Sequence, residues 1–205
     1  MLVAERILVR QFGTAEYHPT VEAMREFTAR RGADTPDELW LLEHPPVYTL
    51  GLAADPAHGP KAGGGIPVLQ ADRGGEITYH GPGQVVLYTL VDLARRGIKV
   101  KQFVAMLEQA VIDLLGSGAE RRPGAPGIYV GGAKIAALGI RVSRGCAYHG
   151  LALNVDMDLT PFSAINPCGF PGMAVTQTRD LGIAENKEIL GERLAGILVG
   201  KLEHA

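Results

Sequence analysis

Apolar and polar positions along this chain switch between a period of two and a period near 3.6, and each switch marks an element. Residues 7–12 predict a short strand. Residues 19–31 predict a helix: Val21, Met24, Phe27 and Thr28 recur at helical spacing, with Thr20 placed to cap it. Residues 39–43 and 47–50 predict strands separated by Pro45-Pro46, and 55–65 a loop rich in Pro and Gly. Residues 66–70 predict another strand, assigned to a sheet edge because Pro67 has no N–H for a ladder. Residues 84–93 are almost continuously apolar (Val85, Val86, Leu87, Tyr88, Leu90, Val91, Leu93), as expected of a strand covered on both faces. Residues 100–115 give the clearest helix, with Phe103, Met106, Leu107, Ala110, Val111 and Leu114 on one stripe and Lys101, Glu108 and Asp113 off it. Residues 128–130 and 134–142 flank Gly131-Gly132, a hairpin signal. Ser143-Arg144-Gly145 makes the next turn and 147–155 a third antiparallel strand. A helix from about Lys187 closes the chain, with Leu190, Leu194, Ile197, Leu198 and Leu202 on one face.

Strands and helices alternate irregularly, and the 128–155 meander is antiparallel, so a doubly wound βαβ fold is not expected. The pattern predicts a mixed sheet flanked by helices, an α+β or α/β sandwich, with residues 1–205 as a single domain. No repeat or linker interrupts it. Hydrophobic residues make up 46% and charged residues 20%, the composition of a folded globular domain rather than a disordered one. A net charge of −2 gives no reason to expect nucleic acid or an anionic membrane as partner. Charges at Glu5, Arg6 and Arg10 leave no apolar signal-peptide core, and no apolar run approaches a membrane span. Two cysteines and no export signal point to a reducing, cytoplasmic compartment; monomer is the default state.

The candidate chemistry lies where glycines and functional groups mix. Residues 73–84, Arg73-Gly74-Gly75-Glu76-Ile77-Thr78-Tyr79-His80-Gly81-Pro82-Gly83-Gln84, read as a loop whose glycines allow close backbone approach while its polar side chains orient a ligand. Neither a phosphate-loop sequence nor Gly-x-Gly-x-x-Gly is present, so the loop does not call for ATP or a dinucleotide. Cys168 sits between Asn166-Pro167 and Gly169, a turn that could present a nucleophilic thiol; the bland alternative is a small buried hydrophobe. Cys146, next to a predicted strand, reads as structural, and a Cys146–Cys168 disulfide is disfavoured in a reducing compartment. Lys134, one of six lysines, lies in an otherwise apolar run. It is either solvated at a hairpin end, or a cation that favours a nearby thiolate, or a base in a poorly solvated cleft. His80 and His149 lack metal-ligand spacing, and the Asp156/Asp158 pair is too common to change that; the histidines read as polar groups lining a pocket, with a hydrogen bond between them as one option and no metal expected.

The 73–84 segment, with Gly127-Ile128-Tyr129-Val130, Lys134-Ile135-Ala136-Ala137-Leu138-Gly139-Ile140, His149-Gly150-Leu151-Ala152-Leu153-Asn154-Val155 and Ile165-Asn166-Pro167-Cys168-Gly169, resembles the lipoyl (octanoyl) transferase family over nearly the whole chain. The resemblance implies a fold shared with biotin–protein and lipoate–protein ligases. It implies transfer of an octanoyl group, without a cofactor, from acyl carrier protein to a lysine on the lipoyl domains of 2-oxoacid dehydrogenase E2 subunits and of the glycine cleavage H protein. Carried over by position, Cys168 matches the thioester nucleophile and Lys134 its partner. Arg73, Gly74, Gly75, Glu76, Ile77, Thr78, Tyr79 and His80, together with Ala137, Leu138, Gly139, His149, Gly150, Leu151 and Ala152, match segments lining the acyl site. The small residues there are expected to leave room for an alkyl chain. An ATP-dependent lipoate or biotin ligase on the same fold is the alternative, and a non-catalytic acyl-binding module a third reading. Arg95-Arg96 and Arg121-Arg122 are candidate contacts for an acidic carrier, or plain solvated charge.

Overall fold

The computed structural model describes residues 7–55, 59–60, 65–165 and 172–205. Its elements, in chain order, are β1 (Leu8–Thr14), α1 (Tyr17–Arg30), β2 (Glu38–Glu43), β3 (Val47–Leu50), β4 (Val68–Gln70), β5 (Ile77–His80), β6 (Gln84–Asp92), α2 (Leu93–Arg96), α3 (Val100–Leu115), β7 (Ala119–Arg121), β8 (Ile128–Val130), β9 (Ala133–Ser143), β10 (Cys146–Asn154) and α4 (Lys187–Glu203). Seven strands form one sheet in the order β1-β2-β6-β10-β9-β8-β7, and three form a second in the order β4-β3-β5. β1 runs parallel to β2 and β3 parallel to β4; the other pairs are antiparallel.

The near-continuous apolar run of β6 is explained by its position. It lies between β2 and β10, and both its faces are covered. Alternation of side chains sorts those faces. Leu39, Leu41, Val85, Leu87, Leu151 and Leu153 pack with α3 and α4. Trp40, Leu42, Val86, Tyr88, Leu90, Tyr148 and Ala152 pack with α1 and Val47 of the second sheet. The mixed sheet flanked by helices is therefore the architecture that the hydrophobic pattern predicts. Among the described residues no helix is long and apolar enough to cross a membrane.

Three local expectations are corrected. Helix α1 begins at Tyr17, and Thr20 is not its cap: its hydroxyl donates to Glu16 O at 2.6 Å, four residues back. Pro19 is tolerated because the first-turn N–H groups have no intrahelical acceptor. Second, the segment read as one loop over 73–84 contains strand β5, antiparallel to β3. Ile77 and Tyr79 give it a buried face against Tyr48 and Phe162, and the surrounding glycines mask that alternation in the sequence. Third, of the two arginine pairs, Arg95-Arg96 is partly buried and turned inward, while Arg121-Arg122 stays exposed at the surface. Arg31, Arg95 and Arg96 all converge on Asp37, whose side chain is fully buried. Arg121 bonds Glu108 and Gln109, and Arg122 lies 5.1 Å from the Tyr129 ring.

Candidate active site

A cavity of about 420 Å³ is bounded by β6, β9, β10, the 73–80 segment, residues of α1 and α3, and residues 124–126. It gathers most of the residues that the sequence singles out: Arg73, Gly74, Gly75, Glu76, Ile77, Thr78, His80, Lys134, Ala137, Leu138, Gly139, His149, Gly150, Leu151 and Ala152 all line it. Tyr79 is placed differently. It points away within β5 and its ring packs on Tyr48 and Phe162. Cys168 belongs to residues 166–171 and lies outside the described residues. The chain on either side of that segment reaches the cavity wall, at Phe162 before it and Val175 after it.

Lys134 is the one buried lysine among the described residues, 6% exposed. Its Nζ donates to Pro126 O at 2.9 Å and lies 5.6 Å from the centre of the Tyr129 ring. The space for its stem exists because Gly127 has no side chain: a Cβ there would fall 2.6 Å from Lys134 Cε. Its backbone is also engaged, with N–H donating to Ala174 O at 2.8 Å and O accepting from Thr176 N–H at 2.9 Å. The segment that follows residues 166–171 is thus held in register with Lys134.

The 73–76 turn is fastened from several directions. The buried Arg73 guanidinium donates to Thr49 O and Oγ1, both at 2.7 Å, and to the carbonyls of Gly74 and Glu76. Gly74 N–H donates to Ile140 O at 3.0 Å, which joins the turn to β9. Ala136, Ala137 and Ala152 line the cavity, but the two glycines beside them play a different part from the one expected of them. A Cβ on Gly150 would meet Leu87 O at 2.1 Å, and one on Gly139 would meet Gly74 O at 2.9 Å. Those two glycines admit neighbouring backbone, so the free space of the cavity arises elsewhere on the wall.

His80 and His149 do not bond each other. Gln84 Nε2 donates to Tyr79 O and Asn154 Oδ1, which leaves its Oε1 to accept from His80 Nδ1 at 2.8 Å. Nε2 of His80 is then the ring's unprotonated nitrogen. Burial pulls His80 down to about 3 and His44, beside it, to about 4, so both are neutral near pH 7. His149 Nε2 donates to Asp72 Oδ1 at 2.7 Å. Burial opposes ionisation of Asp72, but hydrogen bonds from His149, Tyr148 and Arg25 outweigh it and hold the carboxyl well below the usual carboxylate range. Tyr17, on the cavity wall, is pushed up to about 12 by burial, and its Oη finds no hydrogen-bond partner among the described residues.

Sequence reasoning missed Tyr17, Asp72, Tyr88 and Pro126 as parts of this region, whereas Gln84 belongs to the motif it singled out. Asp72 borders the glycine-rich motif, which is a usable signal. Tyr17 and Tyr88 look like ordinary core aromatics, and Pro126 contributes only a carbonyl. Among the described residues no cluster of His, Cys, Asp and Glu is suited to a metal ion. Cys146 is a buried free thiol whose pKa burial pushes up.

Residues 16–194 match the model of the lipoyl protein ligase A/B catalytic domain. An octanoyltransferase of Thiobacillus denitrificans is 66% identical over 180 residues, 86% of this chain and 82% of the relative. One of Dechloromonas aromatica is 56% identical over 199 residues, covering 96% and 97%. Among solved structures, a bipartite lipoate protein ligase of Thermoplasma acidophilum, studied with its E2 lipoyl domain, superposes with a TM-score of 0.74 at 15% identity, covering 96% of this chain and 83% of that one. Biotin protein ligase of Aquifex aeolicus superposes at 0.54 and 9% identity, covering 98% and 70%. At those identities the structures establish the fold, and the closer relatives carry the family. A sheet that brings a buried lysine and a glycine-rich turn to one cavity, a matching family model and relatives above 50% identity agree: the chain belongs to the lipoyl protein ligase A/B catalytic domain family.

Proposed function

We propose that this chain moves an octanoyl group from acyl carrier protein to the ε-amine of a lysine on a lipoyl domain, through a thioester on Cys168. Its membership of the acyltransferases of protein lipoylation rests on relatives named octanoyltransferase at 51–66% identity. The chemical course is supported above all by Lys134, a buried lysine on the cavity whose own backbone pairs with the chain just beyond the Cys168 segment.

In the first step the Cys168 thiolate attacks the carbonyl carbon of the octanoyl thioester. The carbon–sulfur bond to the carrier breaks, and the proton taken from the thiol by Lys134 passes to the departing carrier thiolate. One thioester replaces another, at little cost. In the second step the acceptor amine attacks the Cys168 thioester. Its proton passes through Lys134 to the leaving sulfur, and a stable amide remains. The chemistry draws on the donor thioester and needs no ATP. A lysine with few water contacts suits both proton transfers. Backbone N–H groups near the carbonyl would stabilise the tetrahedral oxyanion. Burial of the alkyl chain against Val86, Ala137, Leu138 and Ala152 contributes about 0.8 kcal/mol per CH₂. Lining by Arg73, Gly74, Gly75, Glu76, Ile77, Thr78, His80, Gly139, His149, Gly150 and Leu151 supports their assignment to the substrate site, with Tyr79 behind them in β5.

The acceptors on this reading are lipoyl domains of 2-oxoacid dehydrogenase E2 subunits and the glycine cleavage H protein, met in the cytoplasm, with residues 1–205 acting as one catalytic domain. Intact-mass measurement after mixing with octanoyl-acyl carrier protein, without ATP, tests it. An octanoyl adduct mapped to Cys168 and discharged by a lipoyl domain is expected. Transfer that persists in Cys168→Ala would overturn the covalent step. Transfer only from free octanoate with ATP would make the chain a ligase instead.

A further inference from the structure

His149 stands in the middle of β10 with φ +63°, a left-handed backbone that residues other than glycine rarely adopt. By strand alternation it belongs with Ala147 and Leu151, facing α3 and α4, while Tyr148 faces α1. The left-handed residue breaks that alternation. The rings of Tyr148 and His149 instead stack at 5.1 Å, and both reach one carboxylate: His149 Nε2 to Asp72 Oδ1 at 2.7 Å, and Tyr148 Oη to Asp72 Oδ2 at 2.6 Å. The departure has a cost that the structure compensates. The pairing of β10 with β6 is interrupted between Ala147 and Gly150, and the Thr89 hydroxyl donates to His149 O at 2.9 Å in its place. Backbone strain of this kind persists only where surrounding contacts over-determine it, and it gathers at functional sites. Asp72 is the residue immediately before the 73–76 turn that lines the cavity.

We propose that Asp72 is a positioning residue of the acyl-transfer site: the left-handed His149, together with Tyr148, fastens the start of the 73–76 turn to the sheet through it, and so sets the cavity wall against which the acyl chain of the donor lies. Two neighbouring residues of a strand pointing to one side chain is the juxtaposition that carries this. A regular strand would direct only one of them there. Asp72 acts through the turn and does not itself touch the acyl group. The inference rests on the acyl-transfer reading above for its substrate, while the fastening itself is a property of the fold.

The test compares wild type with Asp72→Ala, Asp72→Asn, His149→Gly and Tyr148→Phe. Glycine accepts φ +63° without strain, so His149→Gly removes the histidine's hold on Asp72 and not the backbone geometry, while the bonds from Tyr148 and Arg25 remain. Asparagine at 72 keeps one acceptor oxygen for His149. In steady-state transfer, Asp72→Ala is expected to raise KM for the octanoyl donor about tenfold or more, with kcat within about twofold, as for loss of charge-assisted hydrogen bonds that position the turn, and His149→Gly, at a residue that also lines the cavity, to raise KM in the same direction. Asp72→Asn recovers most of that rise, and Tyr148→Phe shows an intermediate effect. Amide hydrogen exchange across 74–77 quickens in the first two variants. Unchanged KM and unchanged exchange, with only a lower thermal midpoint, would overturn the proposal and leave these residues as packing. Wild type that transfers no octanoyl group would sink the acyl-transfer reading instead. Exchange at 74–77 would still decide the fastening, since it needs no substrate.

Discussion

Replacing Gly127 by alanine tests whether Lys134 works from the place where the structure holds it. Gly127 has φ +135°. A Cβ at that position would fall 2.6 Å from Lys134 Cε, 3.0 Å from Nζ and 2.6 Å from the Ala136 carbonyl oxygen. The lysine stem can swing aside; the carbonyl, part of β9, cannot. Backbone strain at such a φ costs roughly 1–3 kcal/mol and overpacking roughly another 1–3 kcal/mol. For a chain of this size the sum corresponds to a fall in thermal midpoint of about 5–20 °C. Relief of the clash moves Nζ away from Pro126 O, so octanoyl transfer should fall by about a hundredfold or more, the range expected when a general acid–base group is misplaced. Gly131→Ala is the control. Gly131 also has a positive φ, +57°, but nothing lies within 4 Å of its missing Cβ. It should show strain alone, about 1–2 kcal/mol, with transfer unchanged. The assay is single-turnover transfer from octanoyl-acyl carrier protein to a lipoyl domain, beside thermal unfolding of the same samples. A folded Gly127→Ala variant that transfers at the wild-type rate would refute the reasoning that the cradle of Pro126 and Gly127 places the working amine.

Three further outcomes follow from buried charge and close backbone. Asp37→Ala leaves Arg31, Arg95 and Arg96 converging on nothing, and should cost roughly 3–5 kcal/mol in urea unfolding, as breaking a buried ion pair does. A loss below about 1 kcal/mol would show those arginines find water instead. Stability should also fall on acidification. The folded chain keeps His44 and His80 neutral down to about 4 and about 3, whereas the unfolded chain protonates them near 6.5. Their contribution is therefore complete above that pH and is lost as pH drops from it toward 4, at up to about 1.4 kcal/mol per pH unit for each histidine. Urea midpoints at pH 7 and pH 5 measure this, and His44→Gln should flatten the difference; an equal slope would remove His44 as a source. Finally, Gly150→Ala drives a Cβ to 2.1 Å from Leu87 O in the central strand, and should yield little soluble protein, where free alkyl space at that position predicts normal expression.

Much of this molecule is decided locally. Strand β6 is legible because it is covered on both faces and so needs apolar residues throughout. Helix α3 is legible from one stripe, and the β8–β9 hairpin from two glycines that accept positive φ between apolar runs. The motif residues that carry family resemblance were legible as well, since Arg73, Lys134 and His149 are polar groups standing in glycine-rich or apolar settings. Strand β5 escaped, because the signal of four residues is swamped by the glycines around it.

What the sequence could not decide were the partners, because hydrogen bonds and steric contacts join residues far apart in the chain. Nothing local says that Arg95 and Arg96 turn inward to Asp37 rather than outward to a carrier, that Gly150 makes room for backbone rather than for alkyl chain, or that Pro126 offers its carbonyl to Lys134. The two histidines that the sequence pairs by their similar settings are separated by the sheet's geometry: His80 turns to Gln84 and His149 to Asp72. Side-chain type and spacing determined which groups were available for chemistry, and the crossing of β6, β9 and β10 with the 73–80 segment determined which of them meet at one cavity.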